Sequence, residues 1–120
     1  MGWVARYEAA WRSGDPVAVD ALFSDHARYR RSPYEESIVG HTAIKAFWFD
    51  GERDTFTMDA SVVAVDGTDA VVRAEVRYGD PVHNEYRDLW VLRFDDDGRV
   101  EDFEEWAYWP GKSFVADDDT

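Results

Sequence analysis

The stretch Ala70-Val71-Val72-Arg73-Ala74-Glu75-Val76-Arg77-Tyr78, with Val82 to Phe94 after the turn Gly79-Asp80-Pro81, decides the fold. Ala70, Val72, Ala74, Val76 and Tyr78 alternate with Arg73, Glu75 and Arg77. Side chains along a strand point to opposite faces in turn, so this strand has one apolar and one charged face. Upstream, Phe56, Met58, Ala60, Val62 and Ala64 alternate with more polar neighbours, and Asp66-Gly67 marks a turn. Downstream, Asp97-Gly98 turns the long strand into a last one reaching about Trp109, and Pro110-Gly111 ends it. The second half of the chain is therefore expected to be a four-strand meander.

The first half reads as helices. Trp3, Tyr7, Ala10 and Trp11 recur at three- and four-residue spacing, and Ser13-Gly14 stops the run. Asp15-Pro16 suits a second start, with Asp as the cap and Pro in the first helical position, and Val19, Leu22 and Phe23 form its inner face. Residues 27–32 suit a short strand ended by Pro33. Gly40-His41-Thr42 opens a third helix with Ile44, Phe47 and Trp48 on one side. Helices first and a meander afterwards indicate α+β. A sheet with one apolar face needs that face covered, and these helices are the elements available to cover it.

Composition narrows the function. The 120 residues fit one domain, expected over 1–112 with an acidic tail at 113–120. The net charge of −13 argues against nucleic acid and anionic membranes as partners, since both need a cationic face. Without cysteine there is no disulfide and no thiolate chemistry. No apolar run approaches the ~18 residues of a membrane span, and the start lacks a signal-peptide core, so the expected location is cytoplasmic. His26, His41 and His83 are scattered without ligand spacing, so no metal site is expected. Asp95-Asp96-Asp97-Gly98 lacks the spacing of a calcium loop and reads as an acidic turn. No phosphate loop or nucleophile elbow is present, and no cofactor is expected.

Several landmarks, in order, resemble the nuclear transport factor 2-like superfamily, and within it uncharacterised SnoaL-like proteins. They are Ala5-Arg6-Tyr7 with Ser13-Gly14-Asp15, Leu22-Phe23 before Asp25-His26-Ala27, and Pro33-Tyr34-Glu35-Glu36 followed by Gly40. Ile44 with Phe47-Trp48, Tyr86 to Phe94, Asp97 to Val100, and Glu105-Trp106 complete the set. The resemblance implies a cone-shaped fold, three N-terminal helices packed on a strongly curled, mostly antiparallel sheet. It also implies a homodimer, for which Leu89 and Val91 on the outer face of the long strand are the candidate contacts.

Because this fold hosts many chemistries, activity has to be read residue by residue. Similarity to ketosteroid isomerase would make Tyr7 a proton donor. The base of that enzyme falls at Arg31-Ser32 here and its acidic donor at Trp90, so steroid-type isomerisation is not expected. Limonene epoxide hydrolase-like chemistry uses two acids bridged by an arginine. Arg31, Asp88 and Glu105 are the nearest analogue, although they match no motif. Tyr86, Asp88, Trp90, Leu92 and Phe94 share one strand face, taken as concave. In the last strand Phe103, Glu105, Ala107 and Trp109 are placed on the same side, with Glu104, Trp106 and Tyr108 as the opposite choice. The three charged groups are read as an acid–base or anion-recognition cluster, or alternatively as a structural ion pair.

Tyr7, Tyr29, Trp48, Tyr86, Trp90 and Trp109 are expected to wall a pocket for a small apolar or aromatic ligand, with Trp11 nearby and His83 at its mouth. Simple core packing is the alternative for these rings. Three functions follow: a cofactor-free isomerase, cyclase or epoxide hydrolase, a non-catalytic ligand binder, or an interaction module.

Overall fold

A computed structural model describes residues 2–48 and 55–111. The expected tail at 113–120 lies outside the described residues. Helices α1 (Gly2–Ser13), α2 (Val17–Leu22) and α3 (His41–Trp48) accompany strands β1 (Phe23–Arg30), β2 (Ile38–Val39), β3 (Phe56–Asp66), β4 (Asp69–Gly79), β5 (Val82–Phe94) and β6 (Val100–Tyr108). The strands form one sheet in the order β2-β1-β6-β5-β4-β3. Strands β3 to β6 are the antiparallel meander, β1 runs parallel to β6, and β2 pairs antiparallel with β1. This is the α+β arrangement expected, three helices on a mostly antiparallel sheet that does not close.

The α1 spacing places Trp3, Tyr7 and Ala10 in the core, with Trp11 half-buried. Trp3 Nε1 donates to the Leu22 carbonyl at 2.9 Å, so its one polar atom is satisfied where it is buried. Gly14, at φ 69°, ends α1 in the left-handed region that glycine tolerates. Helix α2 starts at Val17 with Pro16 as its N-cap, one residue later than expected, and Asp15 Oδ1 accepts from the Val17 N–H at 3.0 Å just ahead of it. The tip between β5 and β6 is held by Asp95, whose Oδ1 accepts from the N–H groups of Asp97 and Arg99. The acidic run is thus a hairpin turn.

Three local expectations need correction. Phe23 is the first residue of β1 and not part of α2, and β1 spans 23–30 instead of 27–32. Phe23 is still fully buried; its extended backbone (φ −119°, ψ 144°) closes the helix while keeping the ring in the core. The alternation in β3 holds only to Val62. A bulge between Val62 and Ala64 turns Ala64 outward, because one extra residue switches the face of those after it. The two-residue β2 carries no periodic pattern and was not anticipated.

The core lies between the helices and the concave face of β1, β4, β5 and β6, and includes Phe23, Val72, Trp90, Leu92 and Phe103. Phe103 stacks on Tyr29, with centroids 4.5 Å apart and ring planes 2° from parallel. Tyr7 packs on Trp90 at 4.6 Å. Large rings therefore join the first helix to the centre of the sheet.

Candidate functional site

Past these rings the concave face opens into a cavity of about 810 Å³. Its wall includes Tyr7, Tyr29, Trp48, Tyr86, Trp90 and Trp109, together with Arg31, Asp88 and Glu105. The structure thus brings all nine residues singled out in the sequence to one cavity, in different settings. Tyr7, Tyr29, Trp48 and Trp90 are buried. Tyr86 is half-buried, and Trp109, 47% exposed, sits at the rim against it with ring centroids 6.1 Å apart. His83 also lines the opening. A Cβ on Gly79 would run into the His83 ring and the Pro81 carbonyl, so that turn accepts only glycine.

Strand register decides which glutamate faces inward. Trp90 is directly opposite Glu105, and Asp88 is opposite Ala107. Directly paired residues share a face, so Asp88, Trp90 and Glu105 point together into the cavity. Glu104 points the other way, ion-paired to Arg30 at 2.8 Å.

Asp88 and Glu105 are diagonal neighbours on this face, close enough to shift each other's titration. Two carboxylates cannot both stay ionised in such a place, so one proton is shared. Burial pushes the Glu105 carboxyl up to about 9, and the adjacent Asp88 reinforces the shift. Burial also raises Asp88, partly offset by the neighbouring Glu105 carboxyl and Trp90 indole. Asp88 is only 6% exposed by surface area, the less accessible residue of the two, yet the larger shift belongs to Glu105. The two carboxyls titrate as one pair that holds a proton between them, and burial is the first cause of both shifts. Asp88 Oδ1 is buried and accepts no hydrogen bond among the described residues.

Two phenols complete the polar lining. Burial raises the Tyr7 and Tyr29 hydroxyls well above their ordinary range, and the two groups face one another. Both stay protonated. Arg31 does not join the carboxyl pair in direct contact. It is exposed, with its guanidinium over the Phe47 ring at 4.6 Å from the centroid. Its charge still reaches Glu105 and Tyr29 across the cavity. The wall also holds residues not singled out from sequence, among them Met58, Val76, Tyr78 and Asn84. Val76 and Tyr78 lay on the face already read as apolar, and that alternation was a usable signal.

A model of the SnoaL-like domain matches residues 4–103. This chain belongs to the SnoaL-like family. Similar solved structures agree on the fold. A candidate ketosteroid isomerase from Kribbella flavida is 19% identical, with 95% of this chain and 79% of that one aligned at a TM-score of 0.71. An NTF2-like protein of unknown function from Burkholderia xenovorans is 16% identical, with 93% and 84% aligned at 0.71. SalBIII, an epoxide hydrolase/cyclase-like enzyme with a role in pyran ring formation in the polyether salinomycin, is 15% identical, with 92% and 89% aligned at 0.70. Comparison with curated proteins finds no match. At these identities the solved relatives establish the SnoaL-like fold and not its chemistry here. Among the described residues no helix is long and apolar enough to cross a membrane.

The shared proton gives a stability test with a definite sign. Folded Glu105 stays neutral up to about 9, whereas in the unfolded chain it ionises near its ordinary 4.5. Its protonated form is favoured by folding, so stability is retained below the lower value and falls as pH rises through the upper one. Glu105→Gln removes that loss. Urea denaturation is expected to show the variant gaining on the order of 2 kcal/mol over the parent at about pH 8, and little at about pH 4. Equal destabilisation at both pH values would show that Glu105 is ionised in the fold.

Proposed function

We propose that this SnoaL-like protein is a cofactor-free acid–base enzyme acting on a small, largely apolar ligand. The observation that supports this is the placement of two carboxyls, Asp88 and Glu105, side by side on the wall of an aromatic cavity, where burial raises both. A general acid must hold its proton at working pH, and a general base must lack one. Glu105 and Asp88 meet those requirements side by side.

In epoxide opening or ring closure, Glu105 gives its proton to the ligand oxygen as the carbon–oxygen bond breaks. Asp88 takes the proton of the attacking water or ligand hydroxyl as the new carbon–oxygen bond forms. The pair then stands inverted, with Asp88 neutral and Glu105 ionised. Transfer of that proton back across their mutual hydrogen bond restores the starting state, so no redox partner or metal is consumed. The Tyr7 and Tyr29 hydroxyls add neutral donors to developing negative charge on oxygen.

A second reading is a non-catalytic binder of the same kind of ligand. It is favoured by the pairing of the two carboxyls, which also suits a purely structural pair, and by the aromatic character of the wall. Turnover separates the two. The purified protein is incubated with a panel of epoxides, hydroxy-epoxides and enones, and products are followed by mass spectrometry. The enzyme reading expects turnover of at least one class, reduced roughly 100-fold or more by Asp88→Asn with ligand binding retained. Binding without turnover across the panel would leave the binder.

Homodimerisation and a cytoplasmic setting belong to the same proposal. The first is supported by Leu89, Val91 and Trp106, exposed together on the convex face where Leu89 pairs with Trp106. The second is supported by the cysteine-free sequence. Sedimentation at micromolar concentration is expected to give a dimer's mass, and Leu89→Glu to shift it to the monomer. A monomeric parent protein contradicts the dimer.

A further inference from the structure

Arg31 differs from most arginines of this acidic chain. Seven others, from Arg12 to Arg99, lie within 4.0 Å of a carboxylate oxygen. Arg31 has no such partner among the described residues, although Glu35 lines the same cavity. What holds it is the Phe47 ring beneath its guanidinium, and Phe47 packs in turn on Tyr29 at 5.5 Å. A cation–π contact of this kind steadies the guanidinium without using its N–H donors.

Register brings Arg31 to a particular neighbour. In the parallel pair of β1 and β6, Tyr29 is opposite Phe103 and Arg30 is opposite Glu104. One step further along places Arg31 level with Glu105, on the face shared by Tyr29 and Phe103. The guanidinium and the Tyr29 hydroxyl therefore line one side of the cavity, beside Glu105. Asp88 lies on β5, next to Trp90 on the same face. A planar guanidinium fork matches a planar carboxylate with two parallel hydrogen bonds, a fit that few other small anions share.

We propose that Arg31 anchors a carboxylate on the cavity's ligand, so that the ligand class is compact apolar acids whose rings lie against the aromatic wall. This rests on the reading that the cavity takes a small ligand, and it adds the charge and the orientation. The acid group sits at the Arg31 side and the apolar body extends toward Trp90 and Tyr86. A reacting oxygen on that body then falls near Asp88.

Calorimetric titration of the full chain with 2-naphthoate and with 2-naphthamide tests the anchor, since the two differ in charge and hardly in shape. The carboxylate is expected to bind roughly tenfold more tightly than the amide. Arg31→Gln should abolish that preference while leaving the amide's affinity within about twofold, and Arg31→Lys should restore part of it. Arg31 is exposed, and an unchanged circular dichroism spectrum verifies that each variant is folded. Equal affinities in the parent protein, or a preference that survives Arg31→Gln, overturns the anchor and leaves the ligand cavity standing. Binding of neither compound overturns both.

Discussion

The structure depends on a mismatch between what the sheet must cover and what the helices can cover. Strand β5 has 13 residues and extends about 43 Å at ordinary strand rise. Helix α1 has 12 residues and reaches only about 18 Å. It meets β5 through Trp3 at Phe94 and Tyr7 at Trp90. Farther along the strand lie Asp88 and Tyr86, whose concave surface lines the cavity. A cavity there is the consequence of covering a long sheet with short helices. Its wall is aromatic because the same face supplies the core next to it.

That geometry also explains the chemistry of the carboxyls. On the convex face of the sheet, charged side chains meet water or each other, as Arg30 and Glu104 do. Asp88 and Glu105 have the other parity and are carried into the enclosed side by the strands that form the core. Desolvation disfavours charge there, and a hydrogen bond between the two is the least costly way to place them. Their shared proton is thus a product of register. A one-residue slip of β6 against β5 would put Glu104 in the cavity and remove the pair.

Much of this was legible in sequence, for identifiable reasons. The alternation in β4 and β5 is long and regular, so it fixed both the strands and the face carrying Asp88 and Trp90. The spacing of Trp3, Tyr7 and Ala10 made the covering helix equally clear. Less was readable where the pattern breaks. Phe23 continues the apolar spacing of α2 while already being a strand residue, because either conformation buries its ring. The bulge after Val62 leaves no local mark, since it is set by pairing with β4. The choice between Glu104 and Glu105 needed the register of β6 against β5, a non-local quantity. The contact between Asp88 and Glu105, and the stacking of Arg31 on Phe47, depend on side chains from separate elements and have no sequence pattern.

The central claim is that the cavity wall holds one neutral carboxyl next to one ionised carboxyl. Carbon-detected NMR of the side-chain carboxyls through a pH titration tests it most directly. One glutamate carboxyl is expected to stay protonated through neutral pH and to titrate near 9, with its signal absent in Glu105→Gln. A titration in which every carboxyl is ionised by about pH 6 would contradict the shared proton, and with it the acid–base reading of the site.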